Sequence, residues 1–384
     1  MDTYQVTLPG KVCFGVGSVN LIKDEARQLG VKRALIVTDA GVHQAGLVDP
    51  VKRLLSQANI PVDIFSEAEP EPTLPRLNAI AGELHKESYD LLVGVGGGSS
   101  LDTTKGLSIL LAHGGRGEDY TGTDNVPGPG IPFFTIPTTA GTGSEATKHA
   151  VFGDPEKGLK LAMISTHLLA RVAIIDPTFT YRCPPQITAA TGIDALTHAI
   201  EGYTCKKANN FCDALALEAM RLISGNLRTA VKNGADREAR NRMAEGALLA
   251  GITFANTSVA AVHALAYPLG SRFHVPHGVA NSILLPYVTQ ASLEANLHKY
   301  AIIAQMLGVK TPGLSHQEAA QQGVAAVKSL IADVGIPLHL RELGVPRDAL
   351  EGMAIATMDI TRLLEVNSKQ FTLEDVRQIW INAW

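Results

Sequence analysis

The sequence predicts an α/β N-terminal domain built on a parallel sheet, followed by an all-α C-terminal domain. In the first half of the chain, short runs rich in Val, Ile and Leu alternate with segments of helical spacing. This alternation is typical of parallel strands joined by helices. After Pro184-Pro185, stretches rich in Ala and Leu keep helical spacing almost to Trp384, and strand-like runs largely disappear. We therefore predict domains at residues 1–184 and 185–384.

The N-terminal domain is expected to alternate regularly between strands and helices. The predicted strands are an edge strand at 4–14, interrupted by Pro9-Gly10, and further strands at 33–38, 61–65, 90–95, 132–137 and 172–175. The predicted helices are 18–29, 48–58, 77–87 and 101–111.

Composition excludes several classes of function. Hydrophobic residues make up 46% and charged residues 18% of the chain, which is ordinary for a folded enzyme. The net charge of −4 and the absence of a Lys/Arg run give no reason to expect nucleic acid or an anionic membrane as a partner. Four cysteines without CxxC spacing are typical of reduced thiols in a cytoplasmic protein. The N-terminus lacks the pattern of a signal peptide.

One segment has the length of a membrane span. Residues 246–271 contain no Asp, Glu, Lys or Arg. Thr, Asn, Ser, His and Pro nevertheless interrupt the segment, and the rest is rich in Ala and Gly. We interpret it as helix buried inside the C-terminal domain, with no membrane partner.

A glycine-rich turn follows the predicted strand at 90–95. In residues 96–99, GGGS, backbone N–H groups and a helix N-terminus could hold a phosphate, or the turn could simply join strand to helix. The GxGxxG fingerprint is absent. Asp39 ends an earlier strand and could bind an adenosine ribose, which would favour NAD over NADP, or could only cap a helix. The polar turn at 138–144 suits phosphate or ribose, or is a tight loop.

Four side chains could hold one metal ion. Asp194 and His198 are four residues apart in TGIDALTHAIE and so lie on one helix face. His263 and His277 follow in segments with few polar residues. Each could be a hydrogen-bonded core or turn residue, but one cation would supply a partner to all of them. A carboxylate with three imidazoles suits Fe²⁺ or Zn²⁺ better than Mg²⁺. Spacing alone leaves both interpretations open.

Taken together, the motifs resemble those of the iron-containing alcohol dehydrogenases, within the dehydroquinate-synthase-like fold. The resemblance covers nearly the whole chain. It rests on GGGSSLDTTK at 96–105, PTTAGTGSE at 137–145, ATGIDALTHAIE at 190–201, and the block from HALAYPLG to PHGVANSILLP at 263–286. It implies a Rossmann-like N-terminal domain, a helical metal-binding domain, and reversible hydride transfer between NAD(H) and an alcohol/aldehyde pair.

The resemblance also implies roles for individual residues. The metal ligands would be Asp194, His198, His263 and His277, usually for Fe²⁺ and in some members for Zn²⁺. The cofactor-binding positions would be Asp39, Gly97, Gly98, Ser99, Asp102, Thr138, Thr139, Thr142, Lys160 and Phe179. The substrate-pocket positions would be Lys148, His149, Phe254 and Arg362.

One position departs from the family pattern. Four residues after His263, many members carry a second histidine, proposed to relay a proton, where this chain has Tyr267. Tyr267 shares a helix face with His263. We therefore take the hydroxyl of Tyr267 and the neighbouring His274 as candidate catalytic groups, and the proton route stays open.

The expected substrate is a small primary alcohol or aldehyde. Lys148, His149 and Arg362 leave open an aldehyde that bears a carboxylate, sulfonate or phosphonate. Two alternatives come from other classes: a metal- and NAD-dependent lyase of the dehydroquinate synthase type, and a non-catalytic nucleotide-binding protein. Because the family is usually at least dimeric, we expect a homodimer or higher homo-oligomer, in which the strand at 4–14 pairs across a two-fold axis.

Overall fold

The α/β and helical parts of the chain form separate units. The structure is a computed structural model, and it describes residues 3–155 and 159–384. One unit is Thr7–Cys183, and the other is Pro184–Trp384 together with N-terminal residues up to Val6. The first contains parallel strands and helices, and the described part of the second is helical. The predicted fold class is thereby confirmed.

A parallel sheet forms the centre of the Thr7–Cys183 unit. The strands are β1 (Val12–Phe14), β2 (Ala34–Val37), β3 (Val62–Phe65), β4 (Leu91–Gly96), β5 (Gly122–Thr123), β6 (Phe133–Pro137), β7 (His149–Asp154), β8 (Leu159–Ile164) and β9 (Val172–Ile175). The main sheet has the order β1-β9-β6-β4-β2-β3, and each neighbouring pair is parallel. A second sheet joins β7 and β8 antiparallel, with β5 beside β8.

Both faces of the main sheet are covered by apolar cores. The helices of this unit are α1 (Ile22–Gln28), α2 (Ala40–Gln44), α3 (Asp49–Gln57), α4 (Leu74–Leu84) and α5 (Gly98–His113). Ala34 and Ile36 of β2 enter one core, whereas Leu35 and Val37 enter the other. Successive strand residues point to opposite faces, so burial of all four requires cover on both sides. This is why the strands appear in the sequence as continuous apolar runs.

Most predicted elements of this unit are confirmed within a few residues, and the differences have identifiable causes. The predicted edge strand at 4–14 is shorter: only Val12–Phe14 pairs with β9, after the Pro9-Gly10 interruption. No element was predicted for residues 149–164, where the structure has β7 and β8. Helix α4 begins earlier than predicted because Thr73 accepts a hydrogen bond from the Arg76 N–H and so caps it.

The second unit is built from helices that follow Pro184. They are α6 (Pro185–Thr204), α7 (Asn210–Lys232), α8 (Arg237–Asn256), α9 (Ala261–Phe273), α10 (His277–Ser292), α11 (Leu297–Met306), α12 (His316–Asp333), α13 (Ala349–Met358), α14 (Thr361–Leu364) and α15 (Leu373–Ala383). Helix α6 is buried along most of its length and packs against α7, α8 and α10. Its buried position brings the Asp194–His198 face into the interior of this unit.

The charge-free segment at 246–271 spans the end of α8 and most of α9. The two helices meet at a 101° bend, and most residues of the segment are buried. Among the described residues, no single helix has the length and apolar character to cross a bilayer. The bent pair of α8 and α9 reaches that threshold only when the two are taken together.

The close approach of α10 to α6 depends on Gly278. A Cβ atom at Gly278 would lie 2.6 Å from the backbone oxygen of Ala190. We predict that Gly278→Ala lowers the stability of this unit by about 1–3 kcal/mol, since the backbones must separate. Gly225→Ala is the matched control, because Gly225 lies on the exposed face of α7, where an added Cβ would meet open space. It should stabilise the unit by about 0.5–1 kcal/mol. Urea unfolding measures both, and equal midpoints for the two variants would contradict the close approach.

Candidate active site

Three helices of the second unit bring the predicted metal ligands together. Asp194, His263 and His277 each place one donor atom within 4.8 Å of the others. The Oδ1 atom of Asp194 lies 3.9 Å from Nε2 of His263 and 3.9 Å from Nε2 of His277. His198 adjoins this group, with its Nε2 3.8 Å from the same Oδ1. The structure therefore places all four residues around one point, with Asp194 at the centre.

The local sequence explains this convergence. Asp194 and His198 lie one turn apart on α6. His263 lies in the first turn of α9, and His277 is the first residue of α10, directly after Pro276. The Asp194, His198 and His263 side chains are nearly fully buried, whereas 31% of His277 is exposed. His277 therefore marks the open side of the cluster.

Glu201 fixes the protonation of His263. One oxygen of this buried carboxylate lies 2.6 Å from Nδ1 of His263, and the other accepts a hydrogen bond from the Val262 N–H at 2.6 Å. Since Nδ1 donates its proton to Glu201, Nε2 carries the lone pair and faces Asp194. A carboxylate that orients a histidine in this way is a common outer partner of a metal-binding imidazole.

The donor set fits a transition-metal ion such as Fe²⁺. Burial acts to raise the pKa of Asp194, but the imidazoles of His198, His277 and His263 and the Asn281 amide lower it by more, so the pKa lies below its ordinary value. The Asn281 amide donates a hydrogen bond to Oδ1 of Asp194 at 2.7 Å, as suits an ionised carboxylate. One anionic oxygen beside three imidazoles matches the preference of Fe²⁺ or Zn²⁺.

Aromatic rings line two sides of the cluster. Phe254 stacks on His198 with the ring centroids 4.3 Å apart, and His198 stacks on His263 at 5.0 Å. The ring of Tyr267 lies 6.4 Å from that of His277. Phe254 and Tyr267 therefore both lie beside the donors, as a substrate-lining residue and a proton-relay residue would.

The second relay candidate and the Arg362 cation are placed differently. His274 is exposed at the end of α9 with left-handed backbone, φ 53°, and among the described residues no hydrogen bond, ion pair or ring contact joins it to the donor cluster. Arg362, on α14, is exposed, and its charge reaches Tyr267. Burial raises the pKa of the Tyr267 hydroxyl and the Arg362 guanidinium opposes that rise, with a net raised pKa. Of the two candidates, only Tyr267 adjoins the donor cluster.

In the first unit, the glycine turn faces the threonine turn. Gly97 caps α5, and the Thr138 N–H donates to the Gly96 oxygen at 2.9 Å. A Cβ at Gly98 would lie 2.9 Å from Thr142, and one at Gly97 would lie 3.6 Å from Thr139. The Thr139 hydroxyl is buried without a hydrogen-bond partner among the described residues. The turn leaves no room for side chains, the Thr139 hydroxyl has no partner among the described residues, and the N-terminus of α5 offers backbone N–H groups. Together these features fit the pyrophosphate of a dinucleotide.

Asp39 caps a helix and also lies beside the glycine turn, whereas its predicted role at the ribose stays a prediction. Its Oδ1 accepts a hydrogen bond from the Val42 N–H at 2.9 Å and so caps α2. Its Oδ2 accepts from the Ser100 hydroxyl at 3.1 Å, which places the carboxylate beside the glycine turn. A Cβ at Gly96 would lie 3.4 Å from that same oxygen. The helix cap is thus the means by which the acid is held next to the cofactor turn.

The other predicted cofactor positions lie at varying depths. Asp102 accepts hydrogen bonds from the Ser144 hydroxyl at 2.6 Å and the Val151 N–H at 2.9 Å, and burial raises its pKa. It therefore ties α5 to the threonine turn and β7. Lys160 pairs with Glu71 at 2.7 Å, and the Glu71 N–H donates to the Ser99 hydroxyl. Phe179 is buried in the apolar core on one face of the sheet.

A buried cation beside the threonine turn is absent from the sequence prediction. The Lys105 ammonium is fully buried and donates to the Thr147 and His149 carbonyl oxygens at 3.1 and 2.7 Å. Burial lowers the pKa of Lys105 to about 8 and raises the pKa of the nearby Glu145 to about 7. Lys105 holds the end of the threonine turn against α5.

Sequence reasoning also missed Glu201 and Asn281 at the metal site. A signal existed for both. Glu201 lies seven residues after Asp194 on the same face of α6, and Asn281 lies one turn after His277 on α10. For Lys105 the only local signal was Asp102, three residues earlier on α5, because the carbonyl oxygens that it binds lie more than forty residues away in the chain.

The predicted pocket residues are divided between the units. Lys148 and His149 are partly buried where β7 begins, in the Thr7–Cys183 unit. Phe254 and Arg362 belong to the helical unit, near His198 and Tyr267 respectively.

Comparison with known proteins identifies the family. A model of iron-containing alcohol dehydrogenases matches residues 9–177, and a model of the C-terminal part of the Fe-containing alcohol dehydrogenase family matches residues 188–384. The long-chain-alcohol dehydrogenase 1 of Geobacillus thermodenitrificans is 40% identical over 387 residues, which cover 100% of this chain and 98% of the relative.

Solved structures agree with this result. A 1,3-propanediol oxidoreductase superposes with a TM-score of 0.97 at 38% identity, covering 100% of both chains. The sulfoacetaldehyde reductase of Bifidobacterium kashiwanohense, in complex with NAD⁺, gives a TM-score of 0.90 at 28% identity, covering 100% of this chain and 99% of that one.

The chain belongs to the iron-containing alcohol dehydrogenase family. It is an NAD- and metal-dependent oxidoreductase that acts on CH–OH groups and interconverts alcohols and aldehydes, with NAD and Fe²⁺ as cofactors. Family membership therefore decides between the predicted alternatives in favour of the dehydrogenase.

Exchange of Glu201 tests its control of His263. In Glu201→Gln, the amide has one oxygen for two donors, so its NH₂ group must face either Val262 or Nδ1 of His263. In the second case the proton moves to Nε2, which removes the lone pair from the donor set. We expect the dissociation constant for Zn²⁺ to rise about 10–100-fold, as measured by chelator competition. Glu245→Gln, on the exposed side of α8, is the control, and an unchanged affinity in both variants would disprove the role of Glu201.

Proposed function

We propose that Asp194, His198, His263 and His277 hold the catalytic metal ion and that the chain uses it to interconvert small primary alcohols and aldehydes. The observation that carries this proposal is the convergence of the donor atoms on Asp194, with the Nε2 lone pair of His263 fixed by Glu201. When bound, the metal ion would act as a Lewis acid on the substrate oxygen, and NAD would carry the hydride.

We assign cofactor binding to the first unit, taken as the predicted domain 1–184, and metal binding to the domain 185–384. Gly97, Gly98 and Ser99 would hold the pyrophosphate with the N-terminus of α5, and Thr138, Thr139 and Thr142 would close the opposite side. Asp39 would bind the ribose and repel a 2′-phosphate, which comparison of NADH with NADPH turnover tests. Lys160 would act near the ribose-phosphate region through its contact with Glu71. Asp102 would hold the turn in shape rather than touch the cofactor.

Tyr267 would hold the proton that is exchanged with the substrate. Its hydroxyl has a raised pKa, so it stays protonated at neutral pH and can both donate and accept a hydrogen bond. Its ring lies beside His277, the most exposed of the four ligands. His274, exposed at the end of the same helix, would pass the proton to solvent.

The substrate end would include a site for an anionic group. Arg362 supplies the cation, near Tyr267 in the helical unit. A structural neighbour of this chain is a sulfoacetaldehyde reductase, an enzyme named for an anionic aldehyde. Phe254 would line the apolar side of the substrate, next to His198.

We also propose a cytoplasmic homodimer or higher homo-oligomer. Strand β1 forms an edge of the main sheet, and exposed apolar residues lie near it in the chain, among them Leu8, Phe14, Val16 and Leu21. An unpaired strand edge with exposed apolar side chains is suited to pairing with a second copy. Sedimentation that gives the mass of a single chain would rule this out.

Removal of the metal tests the assigned site. Chelation should abolish NADH consumption with propanal, and Fe²⁺ or Zn²⁺ should restore it. The wild type should bind about one metal ion per chain, and His263→Ala should bind clearly less than the wild type. His298→Ala, an exposed histidine on α11, should keep the wild-type content. Metal analysis of anaerobically purified protein, coupled to the NADH assay, provides both readouts. Full activity of the metal-free protein would contradict the proposal, as would no turnover of any aldehyde with metal and NAD bound.

Replacement of Arg362 tests the anionic substrate. Arg362→Ala should reduce kcat/KM for sulfoacetaldehyde by about 10–100-fold, since a hydrogen bond to a charged group contributes about 1.5–3 kcal/mol. Turnover of a neutral aldehyde of similar size, such as propanal, should change little. Arg377→Ala, an exposed arginine paired with Glu351 on the helical unit, is the control. Equal losses on the two aldehydes would refute an anion site at Arg362.

A further inference from the structure

The amide of Asn281 lies against the donor atoms of the metal site. Asn281 is fully buried on α10, one turn after His277. Its Nδ2 atom is 2.7 Å from Oδ1 of Asp194, 3.1 Å from Nε2 of His263 and 3.1 Å from Nε2 of His277. Its Oδ1 atom is buried and has no hydrogen-bond partner among the described residues. The NH₂ end of this side chain is thus surrounded by acceptors, whereas its carbonyl oxygen makes no hydrogen bond among the described residues.

In this arrangement the amide nitrogen serves the three donor atoms as a hydrogen-bond donor. An amide nitrogen has two hydrogens, whereas three acceptor atoms lie within its reach. It supplies the buried carboxylate with a donor that burial would otherwise deny it. With the NH₂ group facing the donor atoms, the carbonyl oxygen of Asn281 has no hydrogen-bond partner among the described residues. A buried acceptor without a partner is unfavourable.

A divalent cation would reverse the preference. It would occupy the lone pairs of the same three atoms, and it would repel an N–H group and attract a carbonyl oxygen. The two ends of a side-chain amide have nearly the same shape, so a half-turn exchanges them without repacking. Amide oxygens are ordinary partners of divalent cations.

We propose that Asn281 is a two-state positioning residue of the metal site. Its NH₂ group faces the donor atoms while the metal ion is absent, and its carbonyl oxygen faces the metal ion once it is bound. Asn281 thereby keeps the empty site folded and sets the affinity for the metal. The proposal rests on the assigned ligand set of Asp194, His198, His263 and His277.

Two substitutions separate the two states. Asn281→Asp places a second carboxylate beside Asp194, so the metal-free protein should melt several degrees lower. The added negative charge should lower the dissociation constant for Zn²⁺ about tenfold. Asn281→Leu keeps a similar volume but offers neither donor nor acceptor, so it should raise that constant about tenfold or more. Ser282→Ala, a buried polar neighbour on the same helix, is the control and should leave the affinity unchanged.

The measurements are chelator competition with Zn²⁺ and thermal melting of the chelated and Zn²⁺-loaded full chain. A residue that only fills space would lower the melting temperature in both variants and leave the affinity unaltered, which would overturn the proposal. Weaker Zn²⁺ binding by Asn281→Asp would also overturn it. If Asn281→Asp does not fold without metal, an unchanged Zn²⁺ affinity in Asn281→Leu would overturn the proposal. Lack of Zn²⁺ binding by the wild type would instead refute the assigned ligand set.

Discussion

The hydrogen bond between Glu201 and Nδ1 of His263 is the interaction on which the proposed metal site depends. It joins α6 to the start of α9, and the second oxygen of Glu201 accepts the Val262 N–H, so both ends of a buried carboxylate are used. With the proton held on Nδ1, the lone pair of Nε2 must face Asp194. Several lone pairs directed at one buried point are stable only when a cation or a hydrogen-bond donor lies between them. If the proposed ligands bind the metal ion, we expect the stability of the helical unit to rise with metal loading.

The low polarity of residues 246–271 follows from the same site. The ligands come from α6, α9 and α10, whose backbones must approach closely for short side chains to meet. Gly278 against Ala190 is the tightest of these approaches, and a Cβ there would collide with a backbone oxygen. Ala and Gly in α8 and α9 allow similar packing around His263, which is the polar exception in an apolar surrounding. The segment is mostly buried helix around His263, and its apolar character suits the enclosure of the proposed metal site.

The sequence predicted what is periodic and what is local, and it missed what depends on tertiary contacts. The apolar runs of β2, β4, β6 and β9 are buried on both faces, so their pattern is unambiguous. Helical spacing placed Asp194 and His198 correctly on one face, and the same spacing reaches Glu201. Its role was not foreseen, because only the structure shows which oxygen meets Nδ1 of His263. The carbonyl partners of Lys105 lie more than forty residues away, so no local pattern encodes them. The β7–β8 hairpin joins neighbouring segments and so carried a local signal that the sequence reasoning passed over.

The exchange of a family histidine for Tyr267 changes the chemistry available beside the metal. An imidazole has an ordinary pKa of about 6.5 and changes its charge within the physiological range. The Tyr267 hydroxyl has a pKa raised above its usual value, so it stays neutral across that range. A neutral hydroxyl moves a proton only by accepting one while it donates another. It therefore needs a second group on its far side, and Arg362, which always carries its charge, does not serve as an acceptor. In the proposed relay, water or the exposed His274 would complete the route, which would make it longer than a route through a titrating histidine.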